Sequence, residues 1–144
     1  MPLTIREAGV CDAEALCGLA RQLTGEEATP QQTEAAVQAI ETNPACHLLV
    51  AEEEGAVVGS LYLVVAPNVT HGARPWCVIE NVIVEEGRRR RGIGRALMDR
   101  ALELAREARC YKVFLGSNVK RADAHEFYRA LGFHVHGPVF RVDL

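Results

Sequence analysis

The chain has 144 residues, which is enough for one domain with its own hydrophobic core. Its 49% hydrophobic and 24% charged residues are ordinary for a soluble globular protein, and a formal net charge of −3 gives no overall attraction to nucleic acid. No apolar run is long enough to span a membrane, and the N-terminus lacks the basic start of a signal peptide, so we expect a cytoplasmic protein without a membrane partner.

The predicted secondary structure alternates strands and helices in an order that suits a mixed sheet covered by helices. Apolar runs predict strands, and apolar residues at helical spacing between capping residues predict helices. In chain order the elements are a strand at 3–7, a helix after Asp12, a helix from Thr29 to Asn43, strands at 47–53, 56–66 and 76–85, a helix after Gly92, a strand at 111–116, a helix at 121–131 closed by Gly132, and strands at 133–136 and 139–144. The strands at 76–85 and 111–116 are separated by one helix, so they fit a parallel pair with a right-handed crossover.

The second helix has the clearest boundaries. Thr29 can cap it, Pro30 suits its first turn, and Gln32, three residues after the cap, completes a capping box. Asn43 precedes Pro44 and therefore avoids the helical conformation, which ends the helix.

The cysteines stand at positions 11, 17, 46, 77 and 110, an odd number without the Cys-x-x-Cys spacing of many zinc sites. Each has apolar neighbours. We therefore expect buried, reduced thiols rather than disulfides, and no metal site.

The stretch 78–95, VIENVIVEEGRRRRGIGR, runs from a strand through an arginine-rich turn into a helix. Five arginines fall within eight positions, and Gly92 and Gly94 stand at the start of the helix. Glycines let backbone amides approach a ligand closely, and a helix N-terminus offers unpaired N–H groups with a favourable dipole. The turn therefore predicts a phosphate site, to which the arginines add charge-assisted bonds. The alternative is a solvated basic turn in which the glycines serve only the bend.

These motifs resemble those of the GCN5-related N-acetyltransferase (GNAT) superfamily. The resemblance rests on the IENVIV strand, the RRRRGIGRAL turn and helix, and the AHEFYRALGF element, and it covers essentially the whole chain. It implies one α/β (α+β) domain over 1–144, with a mixed, twisted sheet of about seven strands and about four helices. It also implies transfer of acetyl from acetyl-CoA to a primary amine by direct attack in a ternary complex, without a metal.

The resemblance further implies which residues hold acetyl-CoA. In the family, the turn matching Arg89 to Gly94 grips the pyrophosphate, and the pantetheine arm pairs with the strand matching Val82 to Val84 as an added strand. The Val82 N–H would lie near the thioester carbonyl. Asn118 matches a position that bonds the arm of the cofactor, although a turn-forming role is the alternative. The cofactor-binding residues implied are Val82, Ile83, Val84, Arg89, Arg90, Arg91, Gly92, Ile93, Gly94, Arg95 and Asn118.

Tyr128 lies in the FYRALGF segment, at the position of the general acid in the family. A phenol of pKa ~10 is protonated at neutral pH and can donate to a departing CoA thiolate, whose parent thiol has a pKa of ~8.5. The alternative is that Tyr128 packs in the core, on one helical face with Ala124, Phe127 and Leu131.

Glu80 is an acidic residue inside an apolar strand, which burial alone would disfavour. It could accept the proton of the substrate ammonium, directly or through water, and partial burial would raise its pKa toward that role. The alternative is an ion pair with an arginine such as Arg74; some family members carry the base at the position of Val78. Strand alternation places Asn81 on the opposite face, unless the bulge that the family often has here intervenes.

The acceptor is a small-molecule or peptide amine that the motifs do not identify. The 79–84 strand and the 110–112 step are similar to the glucosamine-6-phosphate acetyltransferase branch, where Asp is usual at the position of Asn81. An amino sugar is therefore one candidate beside polyamines, amino acids, antibiotics and protein amines, and the fold is compatible with a homodimer.

Two other functions fit the same residues. One is a sensor that binds acetyl-CoA without turnover, against which the tyrosine at position 128 argues. The other is an anion- or RNA-binding domain that uses the cluster at 88–95, against which the net acidity and the lack of aromatic platforms argue.

Overall fold

The computed structural model describes residues 2–25, 28–116 and 122–144. They fall into two units, Met1–Phe114 and Leu115–Leu144, which are described separately below. Asn118, predicted to bond the cofactor, lies outside the described residues.

Within the described ranges, five strands form one mixed sheet in which they follow one another in chain order, and the three adjacent pairs among the first four strands are antiparallel. Their bounds are Leu3–Glu7 for β1, Cys46–Glu53 for β2, Ala56–Ala66 for β3, Trp76–Val84 for β4 and Val113–Leu115 for β5. The second and third strands form a hairpin, with Glu53 paired to Ala56 across its turn. Consecutive strands are neighbours throughout, so β4 is the strand from which the chain leaves the sheet through a helix before it returns.

The described ranges contain four α-helices: α1 at Ala13–Thr24, α2 at Pro30–Glu41, α3 at Ile93–Glu107 and α4 at Ala122–Ala130. The capping box predicted for α2 is confirmed: the Gln32 amide donates to Thr29 Oγ1 at 3.1 Å, and the Thr29 amide donates to Gln32 Oε1 at 2.8 Å. Within these ranges, no helix combines the length and the apolar composition needed to cross a lipid bilayer.

The core of the first unit lies where helices contact the sheet. α3 contacts β2, β3 and β4, and α1 contacts β3 and β4. The largest fully buried side chains are Leu49, Leu61, Leu63, Ile79, Ile93, Leu97, Met98, Val37, Val50, Val58 and Cys77. Ile93, Leu97 and Ala101 lie on one face of α3 and are buried in this core, so the start of α3 is anchored by packing.

The prediction of strands at 133–136 and 139–144 is wrong, and the residues that the structure describes form five strands where about seven were predicted. This segment has no regular secondary structure, and Val139 and Phe140 are 85% and 91% exposed. An apolar pattern gives a segment the capacity to form a strand, but a strand also needs a hydrogen-bonded partner. The helix before it does close as predicted, because the amides of Gly132 and Phe133 donate to carbonyls of the last turn of α4.

Candidate active site

The turn between β4 and α3 has an unusual backbone. β4 ends at Val84 and α3 begins at Ile93, and the Arg88 amide closes the first part of the turn by donating to the Glu85 carbonyl at 3.0 Å. Gly87, Arg90 and Gly92 have positive φ angles of 87°, 65° and 82°. A positive φ costs glycine little but is uncommon for arginine, so the fold must hold Arg90 in place.

The N-terminus of α3 is open. Gly92 is its N-cap residue, and no side chain caps the helix there. A Cβ atom built on Gly92 would find nothing within 4 Å. The first amides of a helix have no partner inside the helix, so this open end with its positive dipole suits an anion.

The arginines of the turn divide into two groups. Arg88 is engaged within the protein, because its Nη1 lies 2.7 Å from Glu53 Oε1 and its Nε lies 2.8 Å from Glu85 Oε2. The hydrogen bond to Glu85 is the main cause of the raised pKa of Arg88. Arg88 therefore braces the turn, and neither this role nor that of Glu53, 35 residues earlier, has a signal in the sequence.

The predicted phosphate arginines are held more loosely. Arg91 Nη2 lies 3.8 Å from Glu53 Oε1, and Arg95 Nε lies 3.7 Å from Asp99 Oδ1; their side chains are 55% and 60% exposed. The Nε atom of Arg89 donates to the Val84 carbonyl at 3.5 Å, the limit of a hydrogen bond. These cations can reorient toward a phosphate at little cost.

Two contacts from other elements fix the turn, and sequence reasoning missed both. The Glu86 amide donates to Gln22 Oε1 of α1 at 3.0 Å. On β3, a Cβ atom on Gly59 would stand 3.0 Å from Ile93 Cγ2, so α3 begins where only glycine leaves room. Ile93 is 1% exposed, so its side chain belongs to the core and is not available to a ligand.

β4 contains a β-bulge, the feature on which the predicted orientation of Asn81 depended. Ser60 pairs with Ile83 and Tyr62 pairs with Glu80, so Leu61 faces both Asn81 and Val82. Asn81 has a φ of 54°. A bulge leaves one residue outside the ladder and re-aims its neighbours, and here both Glu80 and Asn81 are exposed.

The structure does not support the burial argument for Glu80. Its side chain is exposed, so the expected partial burial is wrong. Arg74, the suggested partner, instead donates from Nε to the Arg109 carbonyl and from Nη2 to the Cys110 carbonyl, both at 3.2 Å. Glu80 stays a candidate base only through its position, two residues before Val82 on β4.

Tyr128 lies on α4, in the second unit, and is half-buried. Its ring makes edge contacts with Phe127 and Phe133, at centroid distances of 5.4 Å and 6.1 Å. These contacts give the packing role a local basis, and the predicted role as general acid stays a prediction.

Comparisons with known proteins show which proteins this chain is similar to. The model of the acetyltransferase (GNAT) family matches residues 14–133. A glucosamine 6-phosphate N-acetyltransferase of Trypanosoma brucei brucei is 38% identical over 105 residues, which cover 73% of this chain and 67% of that protein. Among solved structures, a putative acetyltransferase from Agrobacterium tumefaciens str. C58 is 36% identical with a TM-score of 0.92, covering 98% of this chain and 99% of that one. A transcriptional regulator from Bacillus halodurans C-125 is 27% identical with a TM-score of 0.92, covering 99% of this chain and 100% of that one.

Proposed function

The chain belongs to the GNAT acetyltransferase family and is an acetyl-CoA-dependent acetyltransferase, and we propose that its acceptor is the primary amine of a phosphorylated amino sugar. One observation carries this choice of acceptor: the Trypanosoma brucei brucei relative, which is 38% identical over 105 residues, is a glucosamine 6-phosphate N-acetyltransferase. The similarity of the 79–84 strand and the 110–112 step to that branch supports it. The experiment with an amine panel, described below, distinguishes this acceptor from other amines.

We further propose that the turn holds the diphosphate of acetyl-CoA. The amides of Gly92, Ile93, Gly94 and Arg95 would donate to it, and the side chains at 89–91 would add positive charge. The uncapped α3 N-terminus and the free space at Gly92 support this assignment.

In the same proposal, the pantetheine arm of acetyl-CoA lies along Val82 to Val84. β5 has only three residues, and the segment before it joins the start of β4, where Tyr111 N donates to Pro75 O and Cys77 N donates to Lys112 O. The far end of β4 thus has an edge on which an extended arm can pair.

The chemistry assigned to the protein is direct transfer. The Val82 N–H donates to the thioester carbonyl, and one such donor contributes about 2.7–4 kcal/mol to stabilising the oxyanion. The bulge, which frees a residue from the ladder at this point, supports that role. Tyr128 protonates the departing thiolate, and the exposed Glu80 takes the ammonium proton through water.

The acceptor is tested by measuring CoA thiol release with a panel of amines. We expect kcat/KM for glucosamine 6-phosphate to exceed that for glucosamine, spermidine and free amino acids by about tenfold or more, since a bound phosphate adds charge-assisted bonds. Faster turnover of an unphosphorylated amine would contradict the acceptor while leaving acetyl transfer intact.

The diphosphate assignment is tested with a matched pair of glycine variants. Gly92 and Gly55 have φ angles of 82° and 79°, and neither has an atom within 4 Å of a built Cβ, so Gly→Asp strains both backbones alike. Gly92→Asp should weaken acetyl-CoA binding about tenfold or more, because it adds a negative charge at the phosphates, whereas Gly55→Asp should leave the affinity near the wild-type value. Equal affinities of the two variants for acetyl-CoA would contradict the proposal that this turn binds the diphosphate.

A sensor that binds acetyl-CoA without turnover is the second candidate, favoured by the 27% identity to a transcriptional regulator. It predicts acetyl-CoA binding with no thiol release above the hydrolytic background for any amine in the panel. Amine-dependent release excludes it.

A further inference from the structure

Two cysteines far apart in the sequence meet in the first unit. Cys77 lies on β4 and Cys110 lies two residues before Lys112 on the approach to β5, and their Sγ atoms are 3.0 Å apart. The Cys77 thiol donates to the Cys110 sulfur. Neither residue belongs to the acetyl-CoA site proposed above.

The main chain holds this pair together. Tyr111 N donates to Pro75 O at 2.9 Å and Cys77 N donates to Lys112 O at 3.1 Å, so backbone bonds flank both cysteines. Arg74 adds two bonds to the carbonyls of Arg109 and Cys110. The sulfurs therefore meet because of the fold, and they must approach by only about 1 Å to reach the length of an S–S bond.

The two thiols differ in access. Cys77 is 0% exposed, and burial raises its pKa. Cys110 is only partly buried. An oxidant would therefore reach Cys110 first, and Cys77 would act second from within the protein.

We propose that Cys77 and Cys110 are a redox-active pair that forms a reversible disulfide with a small-molecule disulfide such as oxidised glutathione. The Cys110 thiolate attacks one sulfur of the oxidant, forming a mixed disulfide and releasing one thiolate. Cys77 then loses its proton and attacks Cys110 Sγ, forming the protein disulfide and releasing the second thiolate. The two protein thiols are oxidised, and the oxidant is reduced to two thiols.

The bond would tie the start of β4 to the approach to β5. Val82 is five residues further along β4, roughly 17 Å away at the rise of a strand, so the bond should stabilise the fold without closing the acetyl-CoA site. We expect oxidation to raise Tm by about 5–10 °C and to leave the Kd for acetyl-CoA within about twofold of the reduced value.

The experiment uses the full chain with Cys11, Cys17 and Cys46 replaced by serine, treated with oxidised glutathione. We expect loss of both remaining thiols, an intact mass lower by two hydrogens, one cross-linked peptide pair containing Cys77 and Cys110, and full recovery with dithiothreitol. Retention of both thiols, or a stable glutathione adduct on Cys110, would overturn the proposal.

Single replacements identify the order of the two steps. Cys77→Ala should accumulate the glutathione adduct on Cys110, because the resolving thiol is gone, and Cys110→Ala should leave the buried Cys77 unmodified. An adduct on Cys77 in the second variant would contradict the order. If Cys77→Ala does not fold, the peptide map of the two-cysteine chain and the Cys110→Ala variant still decide the matter.

Discussion

Replacing Gly59 with alanine should weaken both the fold and acetyl-CoA binding, because the added methyl group meets the start of α3. The new Cβ atom would stand 3.0 Å from Ile93 Cγ2, 3.1 Å from the Ile83 carbonyl oxygen and 3.2 Å from Leu97 Cδ1. Ordinary contacts of this kind are about 3.5–4.0 Å, so three neighbours in a packed core must each move by roughly 0.5 Å. Backbone at Ile83 and buried side chains on α3 give way less easily than surface groups do.

The expected size follows from two opposing effects. Overpacking a core destabilises the folded state by about 1–3 kcal/mol. Replacing glycine by alanine offsets about 0.4–1 kcal/mol of this loss, because alanine lowers the conformational entropy of the unfolded chain. The net loss is about 1–2 kcal/mol, which for a chain of this length lowers Tm by about 3–8 °C. Relief of the clash displaces the α3 N-terminus, so we expect the Kd for acetyl-CoA to rise about three- to tenfold.

Thermal unfolding and calorimetric titration with acetyl-CoA measure the two effects. Gly18→Ala is the matched control, because Gly18 lies within α1 and a Cβ there finds nothing within 4 Å. Alanine is better than glycine inside a helix by about 0.5–1 kcal/mol, so Gly18→Ala should raise Tm slightly and leave the Kd unchanged. A Gly59→Ala protein with wild-type Tm would refute the steric argument. A lowered Tm with an unchanged Kd would show that the start of α3 does not bind the cofactor.

Three further predictions concern other residues. Arg88→Met should lower Tm by about 3–8 °C, because it removes the nearest partner of the Glu53 carboxylate, whose side chain is 13% exposed; adding Glu53→Gln should restore part of the loss. Asp12→Asn should destabilise the protein by about 1–3 kcal/mol at neutral pH, measured by urea unfolding, because Asp12 accepts two bonds from Arg6 at 2.8 Å and 2.9 Å. The bond from Arg6 is the main cause of the lowered pKa of Asp12, so this stability is present above about pH 4 and lost as pH falls through the folded-state pKa. Tyr128→Phe should lower kcat more than it raises the Kd for acetyl-CoA, because it keeps the ring and removes only the hydroxyl.

Each of these expectations has a contrary outcome. If the double variant at positions 53 and 88 is no more stable than Arg88→Met, the Glu53 carboxylate is not what Arg88 stabilises. If the difference between wild type and Asp12→Asn stays constant from pH 7 to about pH 3, the ionised Asp12 is not its source. Full turnover by Tyr128→Phe would contradict the assignment of Tyr128 as the general acid.

Features fixed by neighbouring residues could be predicted from the sequence. The capping box of α2 depends on three positions within one turn, and it forms as predicted. The helix predicted to follow Gly92 begins at Ile93, with Gly92 as its N-cap residue. The strand predicted after Gly137–Pro138 does not form. A strand needs a neighbouring strand as its hydrogen-bonding partner, and a local apolar pattern does not show whether one is present.

Features that depend on distant residues could not be predicted. The bulge in β4 depends on its pairing with β3. Strand alternation alone therefore could not show that Glu80 and Asn81 are both exposed. The clash that reserves position 59 for glycine exists only because α3 crosses β3 there. The Cys77–Cys110 contact likewise joins residues that the sequence separates, and the expectation of uniformly buried thiols is wrong for Cys11, which is exposed.

The arginine cluster shows why counting charges in a sequence overstates a binding site. The cluster contains five arginines, but Glu53 and Glu85 neutralise Arg88, and Arg91 Nη2 lies 3.8 Å from Glu53. In the proposed complex, the attraction for a diphosphate would therefore come largely from the amides at the N-terminus of α3, with help from the exposed side chains. Amides fixed by a helix need no reordering when an anion binds, whereas exposed arginines lose rotamer freedom. The carboxylates thus hold the turn in place but reduce its positive charge, and Gly92→Asp tests the helix N-terminus by adding a negative charge there while leaving every arginine in place.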